Sequence, residues 1–188
     1  MNLIEGAAYS KEDFTLNPLA KAEYDNCMFT GCNFANADII GIIFTECTFT
    51  DCNLSNANLK GAAFKEVDFK NCKMLGLNFS VCDPFLMTLQ FTECQLNLAS
   101  FYNLKLKNTK FGKSSLREAD LTQVDFTNAS FAGCDLSGAV FDNTILEKAD
   151  LRNALHYSID PERNRIKGAK FSMPDVKGLL DKYKIDIY

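Results

Sequence analysis

Residues 27–61 read CMFTG CNFAN ADIIG IIFTE CTFTD CNLSN ANLKG, and this division into groups of five decides the fold. In every group the third residue is large and apolar, the first is small or medium-sized, and the others are mostly polar. A helix of period 3.6 or a strand of period 2 does not bury two residues in every five. We therefore predict a chain that turns a corner every five residues, with the third side chain at the middle of each face.

The same period extends far beyond this stretch, in two runs that differ in register by two residues. Because one group of five cannot bury its apolar face alone, successive turns of the chain must stack, with backbone groups paired at a spacing of about 4.8 Å. The expected core is a column of the third residues: Phe14, Leu19, Tyr24, Phe29, Phe34, Ile39, Phe44, Phe49, Leu54, Leu59, Phe64, Phe69, Met74, Phe79, then Leu86, Phe91, Leu96, Phe101, Leu106, Phe111, Leu116, Leu121, Phe126, Phe131, Leu136, Phe141, Leu146 and Leu151.

Units such as 57–61 (ANLKG), 119–123 (ADLTQ) and 139–143 (AVFDN) resemble the pentapeptide-repeat family. The resemblance covers residues from about 14 to 171. It implies an all-β fold, a right-handed quadrilateral parallel β-helix (a solenoid) with four groups of five, or twenty residues, in each coil.

Breaks in the period divide the chain, and the first break carries candidate functional residues. Pro84 cannot donate a ladder hydrogen bond, so a bulge or small loop is expected there. Phe85 is apolar at an outward position, which favours either a hinge filled by its own side chains or a partner contact. The expected segments are an N-terminal cap (1–13), a first repeat run (14–79), a junction (80–85) marked by Gly76, Pro84 and Phe85, a second run (86–155), a loop and final unit (156–172) and a C-terminal helix and strand (173–188).

The eight cysteines fit the small inward position better than a zinc or disulfide site. Pairs such as Cys27 and Cys32 have a spacing at the edge of zinc patterns, and the only histidine is His156. Parallel stacking at about 4.8 Å also separates Cβ atoms beyond the ~3.8 Å that a disulfide prefers. We expect buried, reduced thiols, with no metal, no cofactor and no catalytic residue.

The C-terminal segment combines a short helix with an alternating end. Ser172 and Pro174 signal a helix start, and Ile185 to Tyr188 alternate as in a strand. Such a segment closes the open end of a β-helix, and its apolar surface also suits a twofold dimer contact. The expected dimer interface is Val176, Leu179, Leu180, Tyr183, Ile185 and Ile187.

Residues 158–166, 169–171 and 178–185 are similar to the C-terminal region of one branch of the family, which contains the Qnr proteins and the microcin B17 immunity protein. The resemblance implies a head-to-head homodimeric rod that binds DNA gyrase or topoisomerase IV and protects it from quinolones or toxins, with duplex-like shape and charge as the recognition feature. Neither repeat run contains a long loop, which favours simple topoisomerase binding or toxin immunity over strong quinolone protection.

Charge gives this mimicry only partial support. The net charge of −4 disfavours direct binding of nucleic acid through its phosphates. Residues 1–90 hold 11 acids and 6 bases, whereas residues 91–188 hold 13 and 14. The candidate partner surface is an acidic strip of Glu23, Asp25, Glu46 and Glu66 on one face, with Asp51 and Asp68 on the next. A basic patch opposes it at Lys105, Lys107, Lys110 and Lys113, and either patch is also typical of an ordinary solvated face.

Two function classes remain open. One is a topoisomerase-binding protection protein, and the other is a structural or scaffold repeat protein with an unknown protein partner. An enzyme is disfavoured, since the sequence offers no nucleophile–base pair or phosphate-binding glycine loop. The N-terminus lacks the features of a secretory signal, and no apolar run is long enough to cross a membrane, so we expect a cytoplasmic protein.

Overall fold

The structure is a computed structural model and describes residues 2–187. Each strand has only two to four residues, because the chain turns so often. Three 3₁₀ helices cover Phe79–Val81, Met173–Leu179 and Asp181–Tyr183 within the described chain. The strands are β1 (Asn2–Glu5), β2 (Ala8–Ser10), β3 (Ala22–Asp25), β4 (Met28–Thr30), β5 (Ile43–Thr45), β6 (Thr48–Thr50), β7 (Ala63–Lys65), β8 (Val67–Lys70), β9 (Leu89–Thr92), β10 (Phe111–Gly112), β11 (Asp150–Leu151) and β12 (Lys170–Phe171).

The strands pair in parallel across successive coils, and the register is set by the repeat. One sheet has the order β1-β3-β5-β7, a second has the order β2-β4-β6-β8-β9-β10, and β11 pairs with β12. Phe29 aligns with Phe49, twenty residues on, which is one full coil. Bridges such as Asp13 to Asn33 and Asp38 to Asn58 continue the same register on the two remaining faces. The expected quadrilateral β-helix is confirmed.

The core is a set of stacked aromatic and aliphatic side chains along the axis. Phe49 stacks on Phe29 with ring centroids 4.6 Å apart and on Phe69 at 5.0 Å. Within its own coil it meets the ring of Phe44 edge-on at 5.3 Å. Rings from successive coils are therefore nearly parallel and those from adjacent faces are crossed, two arrangements that aromatic pairs favour.

The corners depend on residues that tolerate left-handed backbone. The last residue of most groups of five adopts positive φ, as at Asn26 (50°), Gly31 (62°), Asn36 (57°) and Gly41 (62°). Glycine and asparagine adopt this conformation at least cost. The left-handed residue turns the chain onto the next face, so the frequent Asn and Gly at this position are part of what makes the repeat fold.

The predicted core column is correct at 27 of its 28 positions, which are all buried. Leu86 is the exception, since it is 65% exposed and has a φ of 57° at a corner. Asp83 still aligns with Ala63, but Leu89 aligns with Val67, so the two extra residues lie between these points. The insertion moves Met87, rather than Leu86, into the core, where it is 9% exposed.

The N-terminal residues do not form a separate cap. The strands β1 and β2 pair with β3 and β4 in the register of the repeat, so residues 2–13 belong to the first coil. Ile4 and Tyr9 pack against the core at the positions that a repeat would give them. The expectation of a cap at 1–13 was wrong because the first coil follows the repeat with less typical residues. Asn2 and Glu12, for example, stand where other groups have a small inward residue.

The C-terminus ends differently from the sequence expectation. A helical segment is present, but it has 3₁₀ geometry, and the Ser172 side chain does not cap it. The Ser172 hydroxyl instead accepts a hydrogen bond from the Asn153 N–H at 2.9 Å. Residues 184–187 form no strand, since the chain turns at Lys184 (φ 50°) and makes no ladder with the final coil, whose last pairing is β11 with β12. Tyr188 lies outside the described residues.

Candidate interaction surfaces

The cysteines form inward columns whose thiols are held by the backbone. All eight are buried, as expected. The Cys72 thiol donates to the Phe49 carbonyl at 3.4 Å and the Cys52 thiol to the Phe29 carbonyl at 3.3 Å. Burial raises the pKa of the Cys47 and Cys134 thiols to about 12. These thiols are protonated at neutral pH, which removes the thiolate that nucleophilic chemistry requires.

Polar residues at the same inward position also use their side chains to satisfy the backbone. Ser114 lies in the same column as Cys94 and accepts a bond from the Cys94 N–H at 3.0 Å. The Thr144 hydroxyl donates to the Leu121 carbonyl at 2.8 Å, and the Asn164 amide donates to the Phe141 carbonyl at 3.1 Å. Within residues 2–187, no group of three or more His, Cys, Asp or Glu side chains is arranged to hold a metal ion.

The acidic strip occupies one corner of the rod and its two flanks. Glu46 and Glu66 are exposed at the same corner of successive coils, with φ of 52° and 55°. Glu23 and Asp25 lie in β3 on one adjoining face, and Asp68 lies in β8 on the other. Asp51 is separated from them at the next corner, where its carboxylate accepts a 2.6 Å hydrogen bond from the Asn71 amide.

Lysines interrupt the acidic surface in the coil that contains β7 and β8, the fourth from the N-terminus, and they are frequent again beyond the junction at residues 105–113. Lys65 aligns with Thr45 and Lys70 with Thr50, so both lie on the faces that flank the Glu46–Glu66 corner. Lys105, Lys107, Lys110 and Lys113 are all exposed. Lys107 pairs with Asp125 at 3.3 Å, which offsets part of the basic patch. The acidic surface is thus confined to the second, third and fourth coils.

The junction projects apolar side chains outward. Asp83 Oδ1 accepts a 2.9 Å hydrogen bond from the Phe85 N–H, which turns the chain just after Pro84. Phe85 is 66% exposed, like Leu86 beside it. Pro84, Phe85, Asn103 and Lys105 line a cleft of about 380 Å³. Phe85 and Leu86 therefore form an exposed apolar ridge beside the Lys105 side chain.

Gly76 lies at a corner one half-coil before this insertion. Its φ is 66°, and a Cβ atom added there would meet the Asn56 side-chain oxygen. The Asn56 side chain lies at the equivalent corner of the previous coil. Glycine at 76 therefore relieves a close contact between stacked corners, and this is a local packing role, because the insertion itself falls at 84–88.

The C-terminal apolar residues divide into two sets. Val176 and Leu179 are partly buried, and Leu179 packs against the core of its own rod. Leu180, Tyr183, Ile185 and Ile187 are 38–55% exposed, and Met173, which the sequence analysis did not select, is 84% exposed. The second set leaves an apolar surface at this end of the rod.

Three exposed residues at the junction and C-terminus escaped the sequence analysis: Leu86, Met173 and Val81. Val81 stands at the fifth place of its group, where a large apolar residue is the signal that could have identified it, whereas Leu86 was expected in the core and reaches a corner only because of the two-residue insertion. Met173 directly precedes Pro174 in a helix-start segment, where side chains commonly point to solvent.

Comparison with known proteins agrees with this geometry. Profiles described as a pentapeptide repeat region match residues 17–83 and 42–121, and one described as pentapeptide repeats matches 119–155. The chain belongs to the pentapeptide-repeat family. A comparison with curated protein sequences gave no significant match.

Solved structures with the same fold include forms of QnrB1, a plasmid-mediated fluoroquinolone resistance protein. A trypsin-treated variant of QnrB1 superposes with a TM-score of 0.78 at 17% identity, covering 100% of this chain and 92% of the other. Full-length QnrB1 gives 0.55 at 21% identity, covering 98% and 100%. At this identity the likeness establishes the fold. Among the described residues, no helix has the length and apolar character needed to cross a bilayer.

Proposed function

We propose that this protein is a non-enzymatic, cytoplasmic repeat protein that binds a type II topoisomerase, DNA gyrase or topoisomerase IV, and protects it from a quinolone or a protein toxin. The observation that carries the proposal is the continuous four-faced rod, which matches the fold of a fluoroquinolone resistance protein over its whole length. A rod of about eight coils at ~4.8 Å is roughly 40 Å long, so two joined end to end would approach 80 Å, the scale of a duplex segment.

The acidic corner is the part of the surface that suits a DNA-like role. Glu46 and Glu66 repeat along the axis as phosphates repeat along a strand, and Asp25 and Asp68 add charge on either side. A DNA-binding groove lined with lysine and arginine side chains would attract such a surface through its long-range electrostatic field. The lysines of the fourth coil limit the length of the acidic region to about three coils, so recognition would rest on a short acidic stretch together with the rod shape.

The direct test is a gyrase supercoiling assay with and without the protein and a quinolone. We expect the protein to restore supercoiling in the presence of the drug. The double substitution Glu46→Lys with Glu66→Lys should abolish this effect without unfolding the rod, because both side chains are exposed. The matched control is Glu118→Lys, which reverses the same charge at a left-handed corner (φ 56°) in the other half of the chain. Equal activity of all three proteins would contradict the acidic-corner proposal.

The junction is the second proposed contact with the partner. Phe85 and Leu86 offer exposed apolar area, and Lys105 beside them offers a charge that an acidic residue of the partner could meet. Exposed aromatic side chains that become buried account for much of the affinity of protein interfaces. Phe85→Ser should therefore weaken topoisomerase binding about tenfold or more, whereas Leu98→Ser, at a similarly exposed corner more than half a coil further along the chain, should not. An equal loss of binding affinity in both variants would contradict a partner contact at Phe85.

We further propose that two copies associate through their C-termini. Leu180, Tyr183, Ile185 and Ile187 leave more apolar surface exposed than a monomer in water favours, and a twofold contact would cover it. Light scattering on the full chain and on a chain that ends at Ser172 tests this. We expect a dimer and a monomer respectively, and a full-length monomer at micromolar concentration would refute the association.

The alternative is a scaffold that binds an unrelated protein. It is favoured by the lysines that interrupt the acidic surface and by the short insertion at the junction, neither of which is required by a duplex mimic. Repeat folds present an extended surface to many kinds of partner, so the fold alone does not choose between these functions. Failure to bind either topoisomerase, with the rod folded, would favour this class.

A further inference from the structure

The C-terminal cap, residues 173–187, is docked on the turn at residues 157–164 by a small number of identifiable contacts. The Ile159 N–H donates to the Gly178 carbonyl at 2.9 Å. Gly178 itself is buried, and a Cβ atom at this position would collide with the Tyr157 carbonyl oxygen and lie about 3 Å from its ring. Only glycine allows the cap to approach the turn this closely, so Gly178 fixes where the cap sits.

Lys182 forms the charged part of this docking. Its ammonium group lies 2.8 Å from Asp160 Oδ1 and 2.7 Å from Glu162 Oε2, both on the turn. It also lies 4.9 Å from the centre of the Tyr183 ring, and the Tyr183 hydroxyl contacts Glu162 Oε1 at 3.3 Å. The hydrogen bonds that Lys182 donates to the Asp160 and Glu162 carboxylates hold its pKa well above the usual range. One side chain therefore connects the cap to two carboxylates of the turn.

Tyr157 acts against docking. Its ring is 3% exposed beneath the cap, and its hydroxyl is buried without a hydrogen-bond partner among the described residues. A buried polar group that lacks a partner is unfavourable, because the same group would be hydrogen-bonded to water if the cap lifted. The docked position therefore combines favourable contacts, which are the ion pairs, the Ile159–Gly178 hydrogen bond and the packing of Leu179, with one unfavourable buried hydroxyl.

We infer that the cap is a salt-sensitive latch, in which the Lys182 ion pairs favour the docked position and the buried Tyr157 hydroxyl opposes it. Docking fixes the position of Leu180 and Tyr183, which stay exposed at the end of the rod. Lys182 is thus a positioning residue for the interface with a second copy, and this part rests on the dimer advanced under the proposed function. The ion pairs are near the surface, so added salt weakens them.

Amide hydrogen exchange of Ile159, followed by NMR, reports on the latch directly because its bond to Gly178 breaks when the cap lifts. We expect Lys182→Met to lower its protection about twofold to tenfold. Tyr157→Phe removes only the hydroxyl and should raise protection about fivefold to tenfold. The control is Lys184→Met, which removes a cap lysine that has no ion pair within residues 2–187 and should change nothing. The Phe131 amide, bonded to Asp150 in the core, serves as the reference for global unfolding.

The salt dependence of Ile159 amide exchange is a second test of the latch. Raising the concentration from about 0.1 M to about 1 M should lower Ile159 protection in the wild type and leave Lys182→Met almost unchanged. Identical exchange in Lys182→Met and Lys184→Met would overturn the latch, and so would Tyr157→Phe exchange that is faster than the wild type.

Sedimentation of the same variants separates the latch from the dimer. If the wild type dimerises, Lys182→Met should raise its dimer dissociation constant by a factor similar to its loss of Ile159 protection. An unchanged constant with a lifted cap would overturn the positioning role of Lys182. A wild type that stays monomeric would refute the dimer, while the exchange data would still decide whether the latch exists.

Discussion

Replacing Phe49 by alanine should remove the centre of the aromatic stack and cost about 4–5 kcal/mol of unfolding free energy. The ring is fully buried, lies between Phe29 at 4.6 Å and Phe69 at 5.0 Å, and meets Phe44 edge-on at 5.3 Å. Core Phe→Ala changes cost about 3–5 kcal/mol, with the higher values where neighbours cannot collapse into the cavity. Here backbone hydrogen bonds between coils fix the coil spacing on every face, so we expect a loss of unfolding free energy in the upper part of that range.

Urea unfolding followed by circular dichroism measures this loss. Lys60→Ala, at an exposed position between two faces, should change stability by less than about 0.5 kcal/mol. Phe14→Ala should fall between the two at about 2–3 kcal/mol, because Phe14 lies in the first coil and stacks on Phe34 from one side only. Similar losses at Phe49 and Lys60 would show that the inward and outward positions have been misassigned.

Three further predictions test the interior. Thiol titration of the native protein should find almost no reactive cysteine, whereas the denatured chain should give all eight; rapid reaction of two or more in the native state would contradict their burial. Met87→Ala should cost about 2–4 kcal/mol and Leu86→Ala less than about 0.5, by urea unfolding, and the reverse order would restore the register read from the sequence. The free energy of unfolding should fall as pH rises above about 8.5, because the unfolded chain releases thiol protons that native Cys47 and Cys134 retain until about pH 12. Cys134→Ala should make this fall less steep. A free energy of unfolding that does not change between about pH 8.5 and pH 10.5 would refute the prediction.

The sequence predicts the interior well because each group of five repeats the same pattern of residue types. A large third residue, a small first residue and an Asn or Gly at the fifth position specify a face and a corner without any long-range information. The coil length then follows from the repeat, and with it the alignment of Phe29 with Phe49. Local and tertiary preferences agree throughout these coils, and this agreement makes the pattern easy to recognise.

The conformations of the two ends and of the junction could not be predicted in the same way, because each depends on which backbone groups and apolar surface the neighbouring coil leaves uncovered. At the junction either Leu86 or Met87 could have continued the column, and the choice is made by the backbone pairing on both sides of the insertion. At the C-terminus the alternation of Ile185 and Ile187 is a valid strand signal, but the turn at Lys184 leaves these residues without a strand to pair with. The surface contacts also escape the pattern, because outward positions are free to vary.

Direct binding to DNA gyrase tests the central proposal most simply. Labelled protein titrated with purified gyrase should bind with a dissociation constant that linear duplex DNA raises by competition, and the Glu46→Lys and Glu66→Lys double variant should bind at least about tenfold more weakly than Glu118→Lys. No binding by the folded wild-type protein to either gyrase or topoisomerase IV, or binding that neither DNA nor the charge reversal affects, would contradict a duplex-like rod that acts on these enzymes.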